Sequence, residues 1–159
     1  MLSRMKYVGQ MLLALALCST SATAQTAKVI AGMGKGGPIV GGDYELPDTA
    51  TESYGLFGRL HSKDRDNGAA GIIAFGGFFK IKALQGPYEF FMSPGLAIMS
   101  HDLNDTELLI GPSLSYGFSA SLDSQLSVGV TNQKLYSWLG EYKGLIDDSL
   151  LVHVSYVLQ

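Results

Sequence analysis

Apolar side chains recur at every second position over long stretches of the chain. The clearest stretch is residues 150–158, where one parity is wholly apolar: Leu150, Val152, Val154, Tyr156 and Leu158. The other parity is mixed and includes His153 and Ser155. Successive side chains of a β-strand point to opposite faces of a sheet. The pattern therefore predicts a strand with one apolar face and one mixed face.

Turn-forming segments divide the rest of the chain at fairly regular intervals. Seven clusters rich in Gly, Pro, Asn or Asp lie at residues 34–37, 47–50, 63–68, 85–87, 102–105, 122–124 and 140–148. These residue types favour turns because they adopt special backbone angles or bond to their own backbone. The clusters separate eight candidate strands, of which the first two are short, at 28–33 and 38–46. An even number of strands is typical of bacterial transmembrane barrels.

The two faces of the candidate strands differ in the same way throughout. One face is almost entirely apolar, and the other is rich in Gly, Ala and Ser with interspersed charges. This contrast favours an all-β fold, an eight-stranded antiparallel up-and-down transmembrane β-barrel with small and polar residues in a narrow lumen. Aromatic residues are predicted at the membrane interfaces: Tyr44, Tyr54, Tyr88, Phe90, Tyr116, Phe118, Trp138 and Tyr156. Pro94 and Pro112 fall inside candidate strands and are predicted at bulges or near strand ends.

The first 24 residues have the features of a secretory signal. Arg4 and Lys6 precede the apolar stretch 11–18, and 22–24 reads Ala-Thr-Ala, a pattern that signal peptidases accept. Cleavage there would leave one domain, residues 25–159, and would remove Cys18, the single cysteine. The formal net charge is −3, or −5 without the two cations of the signal. An acidic, well-mixed charge pattern argues against nucleic acid as a partner.

The inner face collects charges of both signs. The candidate lumen charge network is Asp43, Glu45, Arg59, His61, Lys80, Lys82, Glu89, Glu107 and His153. Charges in a low-dielectric interior need partners, so these side chains are predicted to pair and close the lumen. His61 and His101, near Asp64, Asp66, Asp102 and Asp105, could bind a divalent cation, but Asp is also the ordinary turn residue. No catalytic residue, metal site or cofactor is assigned.

At the level of pattern, residues 25–159 resemble the small eight-stranded outer-membrane barrels of the OmpA transmembrane domain and OmpX/Ail group. The resemblance implies an outer-membrane location in a Gram-negative bacterium, with lipid, lipopolysaccharide and the barrel-assembly machinery as partners. It also implies periplasmic termini, which would place segments 34–37, 63–68, 102–105 and 137–147 outside the cell. The last of these is the candidate surface-contact loop, through Trp138, Glu141, Tyr142 and Lys143.

Three functions are compatible with these features of the sequence. The leading hypothesis is a non-enzymatic barrel that acts in envelope integrity or surface interaction. The first alternative is a soluble periplasmic barrel that binds an apolar ligand, based on the apolar content and on Leu158 where the resembled proteins usually carry an aromatic residue. The second is a lipid A hydrolase, because His153 and Ser155 are spaced like a pair in lipid A deacylases of the PagL type.

Overall fold

The computed structural model describes residues 24–62, 71–102 and 106–158, except for the side chains of residues 101, 102 and 106. The predicted signal segment lies outside these residues, apart from residue 24. The described chain forms eight strands: β1 (Gln25–Gly34), β2 (Gly37–Pro47), β3 (Glu52–His61), β4 (Gly71–Gln85), β5 (Tyr88–Asp102), β6 (Thr106–Ser121), β7 (Leu126–Ser137) and β8 (Gly144–Leu158). Within the described ranges, no helix is long and apolar enough to cross a membrane.

The eight strands close into one barrel in which each strand pairs with its sequence neighbours. All pairings are antiparallel, and β1 closes the barrel by pairing with β8 from Gln25↔Leu158 to Met33↔Leu150. The predicted fold class is therefore confirmed. We call the end where β1 begins and β8 ends the terminal end, and the other end the loop end.

Some predicted strand limits differ from the structure. The first two strands are longer than predicted, because backbone pairing between β1 and β2 continues from Thr26↔Glu45 to the turn at Gly34↔Gly37. Residues 140–148 were predicted as a turn because they contain Gly and Asp, but β8 already begins at Gly144. Asp102, also predicted in a turn, is the last residue of β5.

The two strand prolines have different environments. Pro112 lies where the β6–β7 ladder stops at Ser113↔Leu135, before pairing resumes at Ile110↔Leu139 with one extra residue on the β7 side. Its predicted position near an irregularity is confirmed. The prediction for Pro94 is wrong, because this residue lies within β5 and the β4–β5 register is the same before and after it. Since proline has no N–H, pairing is interrupted between Phe78↔Gly95 and Ile81↔Met92, and it resumes in the same register without an inserted residue.

The outward face of the barrel is apolar over all eight strands. Exposed large apolar side chains include Val29, Val40, Leu56, Phe75, Leu96, Ile98, Val130, Val152 and Val154. Aromatic residues are grouped near the terminal end, where Tyr88 stacks on Phe118 at 5.6 Å between ring centroids and Phe90 lies 5.3 Å from the same ring. Tyr116, predicted at a strand end, instead lies within β6 opposite Asn132. An outer wall that is apolar on every strand, apart from the polar residues Asn132, Lys134 and Asp148 on β7 and β8, matches the wall expected of a barrel in lipid.

Candidate functional site

The lumen contains a layer of ionised side chains near the terminal end. We call it the charged layer; it consists of Lys28, Asp43, Glu45, Arg59, Lys80, Lys82 and Glu89. Alternation along the strands directs these side chains inward, as the parity of the sequence predicted. The structure brings together six of the nine residues predicted in the network, and adds Lys28.

Glu45 is the centre of the charged layer. Its carboxylate lies 3.0 Å from Lys28 Nζ, 3.2 Å from Lys80 Nζ and 2.8 Å from Lys82 Nζ. Ser53 Oγ donates a further hydrogen bond to it at 2.7 Å. The carboxylate is buried, so these four contacts replace the water that it loses. Lys80, on β4, also pairs with Glu89 on β5. Through Lys80, the ion pairs therefore connect Glu45 on β2 with Glu89 on β5.

Arg59 forms a second centre within the same layer. Its Nη1 lies 2.7 Å from Asp43 Oδ1 and donates to the carbonyl of Gly42, while its Nε donates to Gln133 Oε1 at 2.9 Å. These bonds link β2, β3 and β7, and they use several of the donors of the planar guanidinium group. The fixed fork of Arg59 thus ties together strands that are not neighbours in the barrel.

An aromatic ring contacts two of the cations in this layer. The ammonium groups of Lys28 and Lys80 lie 5.3 and 4.4 Å from the centroid of the Phe91 ring. Such cation–π contacts stabilise a desolvated ammonium by about 2 kcal/mol. Phe91 therefore adds an attractive contact for two like charges that Glu45 already holds close together.

Between the charged layer and the loop end, apolar side chains occupy the lumen. We call this region the apolar plug; its buried members are Ile30, Ile39, Phe57, Ile72, Ala74, Ala97, Met99, Leu109, Leu135 and Leu151. The sequence predicted a lumen of small and polar residues throughout, and that prediction is wrong for this half. The inward parity does carry apolar residues there, at Met99 and Leu151 among others, but they were outnumbered by Gly, Ala and Ser in the strand patterns.

His61 lies at the loop end rather than in the charged layer. Its Nδ1 is 3.7 Å from Asp147 Oδ2, and both side chains are buried. The other oxygen of Asp147 accepts the backbone N–H of Lys35 at 3.2 Å, which holds the β1–β2 turn against the start of β8. The Gly and Asp residues of segment 140–148 predict a loop at Asp147, which instead lies in β8. It shares the parity of Ser149 and Leu151, and this signal could have placed it on the inner face.

Two other residues of the predicted network have different roles. Glu107 accepts the backbone N–H of Glu141 and fastens the β7–β8 loop to β6. His153 is buried in the lumen, where its Nδ1 lies 3.1 Å from Thr131 Oγ1 and its ring makes an edge contact with Phe91. Neither residue forms an ion pair among the described residues. Residues that the sequence analysis missed are Lys28, Phe91, Thr131, Gln133 and Asp147, all on the inward parity of their strands.

The arrangement of His153 and Ser155 does not suit lipid A hydrolysis. Both side chains are buried on the lumen side of β8, at 3% relative exposure each. An enzyme acting on a membrane lipid needs its nucleophile and base accessible from the lipid side, which here is occupied by Val152, Val154 and Tyr156. This pair therefore cannot carry the reaction that its spacing suggested.

The candidate cation site falls largely outside the described residues. Asp64, Asp66 and Asp105 lie in undescribed segments, and the side chains of His101 and Asp102 are not described either. Among the described residues, no group of three or more His, Cys, Asp or Glu could hold a metal ion.

The β7–β8 loop is shorter than predicted. The expected segment 137–147 begins with Ser137, which is the last residue of β7, and ends with Asp147, which is buried in the lumen. The connecting residues are 138–143. Leu139 bridges to Ile110, and Trp138 and Leu139 both donate backbone hydrogen bonds to the Ile110 carbonyl. This anchoring leaves the Trp138 side chain 65% exposed.

Solved structures with the same architecture are transmembrane β-barrels. The N-terminal β-barrel domain of Pseudomonas aeruginosa OprF superposes with a TM-score of 0.71 at 9% sequence identity, covering 86% of this chain and 98% of that chain. Neisserial surface protein A gives a TM-score of 0.68 at 12% identity, with 87% and 98% covered. A de novo designed transmembrane β-barrel gives 0.57 at 12% identity, with 87% and 98% covered.

Sequence comparisons give no family for this chain. No protein-family model matches it, and no curated protein does so. At identities of 9–12% the structural likeness shows the fold alone. The chain has the fold of the eight-stranded outer-membrane β-barrels.

Proposed function

We propose that this protein is a small outer-membrane β-barrel of a Gram-negative bacterium whose lumen is closed and whose role is envelope integrity or surface interaction. The observation that carries the proposal is the filling of the lumen by the charged layer and the apolar plug. Eight strands already leave an interior only wide enough for side chains. A barrel filled in this way offers its outer wall and its loops, not its interior, to other molecules.

The space left inside the charged layer is small. A cavity among Lys28, Arg59, Lys80, Phe91 and Gln133 has a volume of about 20 Å³. That is room for about one water molecule. A hydrated ion or an apolar ligand does not fit in this cavity, which counts against a pore and against an apolar ligand held within the charged layer.

The outer wall supports a location in lipid. Its side chains are exposed apolar residues on every strand, a surface that water would penalise by about 25 cal/mol per Å². Outer-membrane lipid, lipopolysaccharide and the assembly machinery are the partners that this wall implies. No nucleic-acid contact is proposed.

Membrane location is tested by fractionation and gel migration. The protein is expected in the outer-membrane fraction, soluble only in detergent, and its unheated form is expected to migrate differently from its boiled form. A closed barrel resists unfolding by detergent at room temperature because its backbone has no free sheet edge. Recovery from the soluble periplasm without a heat-dependent shift would refute the proposal.

Closure of the lumen is tested by conductance. Purified protein inserted into planar phosphatidylcholine bilayers in 1 M KCl, about the highest salt in common use, is expected to leave the current at baseline. A 16–18-stranded porin, which has an aqueous channel, serves as the positive control. Steady single-channel steps from this protein would overturn the closed lumen while leaving the membrane location intact.

The β7–β8 loop is the part of the barrel proposed for surface contact. Trp138, Glu141, Tyr142 and Lys143 are exposed there, and Glu107 fixes the loop to β6. An epitope inserted between Tyr142 and Lys143 is expected to bind antibody on intact cells. The same epitope inserted in the β6–β7 turn at Asp123 is expected to bind only after the cells are made permeable. The reverse result would refute the orientation and with it this surface role.

A further inference from the structure

A polar cluster interrupts the apolar outer wall between β7 and β8. Thr131, Gln133 and Leu135 are buried in the lumen, so the alternating residues Asn132 and Lys134 face outward. Lys134 lies opposite Asp148 in the β7–β8 ladder. We call Asn132, Lys134 and Asp148 the outer polar cluster.

The three side chains of this cluster contact one another. Lys134 Nζ forms an ion pair with Asp148 Oδ2, and Asn132 Nδ2 donates to Asp148 Oδ1 at 2.9 Å. Asp148 is 41% exposed and Lys134 is 24% exposed by side chain. Both charges are thus accessible from outside the barrel, unlike those of the charged layer.

The surroundings of the outer polar cluster are amphipathic. Toward the terminal end lie the exposed apolar residues Val130, Leu150 and Val152. Tyr116 is opposite Asn132 on β6, and Tyr136 follows Lys134 on the same face of β7. The cluster therefore has an extended apolar surface toward the terminal end, the exposed Leu145 toward the loop end, and phenol groups beside it.

The position of the cluster indicates its depth in a bilayer. Leu150, two residues from Asp148, pairs with Met33 at the end of β1, and Asp147 holds the N–H of Lys35 in the following turn. The cluster is therefore level with the β1–β2 turn along this seam. A lipid-facing Lys costs about 2–4 kcal/mol at the bilayer centre but only about 0–1 kcal/mol near the interface. Its ammonium thus belongs at the level of the lipid headgroups.

We propose that the outer polar cluster binds the phosphate of one anionic membrane lipid, whose acyl chain lies along Val130, Leu150 and Val152. This inference rests on the proposed membrane location. Lys134 has three N–H donors, and the one ion pair with Asp148 leaves donors for phosphate oxygens. Asn132 holds Asp148 in place, while Asp148 competes with the phosphate for Lys134. The carboxylate therefore lowers the affinity that Lys134 alone would have.

The roles of Lys134 and Asp148 give opposite predictions for two variants. The protein is reconstituted in phosphatidylcholine nanodiscs containing either lipid A or phosphatidylglycerol, released in detergent, and examined by native mass spectrometry for retained lipid. The wild type is expected to retain one anionic lipid in preference to phosphatidylcholine. Lys134→Gln is expected to weaken retention about tenfold, because a charge-assisted bond is lost. Asp148→Asn is expected to strengthen it.

Matched controls separate this site from general attraction to basic residues. Lys35→Gln removes one exposed cation from the neighbouring β1–β2 turn and is expected to leave retention unchanged. Lys134→Arg keeps the charge and is expected to retain the lipid. If Lys134→Gln does not fold, the stronger retention expected of Asp148→Asn carries the test. Preference for lipid A over phosphatidylglycerol, or the reverse, identifies which phosphate source the site takes.

Equal retention by the wild type, Lys134→Gln and Asp148→Asn would overturn the inference, since the cluster would then only neutralise itself. Retention of phosphatidylcholine as strong as that of both anionic lipids would also overturn it. These failures differ from failure of the proposed function. If the protein is not a membrane barrel, the wild type will not insert into nanodiscs and will show no heat-dependent migration.

Discussion

A single buried carboxylate determines whether the charged layer is stable. Glu45 contacts three lysines and a serine, so the energy of the layer depends on one residue far more than on any of its partners. Removing one member of a buried ionic group leaves the others without compensation, which costs about 3–5 kcal/mol. Glu45 thus couples Lys28, Lys80 and Lys82 directly, and Glu89 through Lys80, while Asp43 and Arg59 form the separate second centre.

Glu45→Gln is expected to lower the free energy of unfolding by about 3 kcal/mol. The substitution preserves shape but leaves Lys28, Lys80 and Lys82 without their common anion. Urea titration in phospholipid vesicles, followed by the fluorescence of Trp138, measures the change. Glu52→Gln, at the outward-facing start of β3, is the control and is expected to change stability by less than about 0.5 kcal/mol. Equal effects at both positions would contradict the central role of Glu45.

Asp123 lies in the β6–β7 turn, outside the predicted membrane span. Its ionisation is expected to make the stability of the barrel depend on pH. Its carboxylate accepts the backbone N–H groups of Gln125 and Leu126, both at 2.7 Å, and these bonds lower the pKa of Asp123. A group with a lowered pKa in the folded state contributes stability above its unfolded pKa of about 3.9, and this contribution is lost as the pH falls through the folded value.

Asp123→Ala is therefore expected to be less stable than the wild type at pH 7 and to match it more closely below about pH 3. Unfolding midpoints in urea at pH 7 and at pH 2.5, about one unit below the unfolded pKa, measure the two differences. The exposed neighbour Ser124, changed to Ala, controls for general effects of the turn. A difference that is constant with pH would show that ionisation of Asp123 contributes nothing.

At the scale of elements, the sequence predicts the number, type and faces of the strands. Alternation specifies which side chains point inward, so Glu45, Arg59 and Lys80 could be placed in the lumen correctly. The strand ends were less predictable, because Gly and Asp at 140–148 favour a turn while pairing with β7 extends β8 to Gly144. Pro94 was also mispredicted, since only the register of the folded ladder shows that no residue is inserted beside it.

Adjacent glycines in β4 test the difference between the two faces of a strand. A Cβ atom on Gly76 would lie 2.4 Å from the Phe57 ring and 2.2 Å from the Leu96 carbonyl oxygen, whereas on Gly77 its nearest neighbour would be 3.7 Å away. Gly76→Ala is expected to destabilise the barrel by about 1–3 kcal/mol through overpacking. Gly77→Ala is expected to change stability little. Urea midpoints compare the pair, and similar losses in both variants would contradict the assignment of faces.

At the scale of the whole molecule, the division of the lumen into two parts was not predicted. Each strand contributes only one or two residues to the apolar plug, so no single strand pattern reveals it. Met99, Leu109 and Leu135 meet in one buried cluster, and Ile30 and Leu151 meet in a second, because strand tilt and register bring different strand positions to one level. These quantities are properties of the closed barrel and cannot be read from one strand at a time.

Leu135→Ala tests whether the two parts close the lumen independently. Leu135 is fully buried in the apolar plug, so the truncation is expected to lower the free energy of unfolding by about 2–5 kcal/mol. Conductance in planar bilayers is expected to stay at baseline, because the charged layer remains below the plug. Leu150 lies on the exposed outer face, so Leu150→Ala is the control. It is expected to lower the free energy of unfolding by less than Leu135→Ala does. An ion current in Leu135→Ala would mean that the charged layer alone does not seal the barrel.

The β1–β8 seam has a consequence for how the barrel forms. It joins Gln25 to Leu158, so the ladder that removes the last free edges uses the two ends of the described chain. Contacts between residues so distant in sequence form slowly, because the loop entropy of the whole intervening chain is lost first. Until then β1 and β8 each expose unpaired backbone groups that can pair with other chains. Folding is therefore expected to be limited by the closing step, and a partner that shields these two edges would accelerate it.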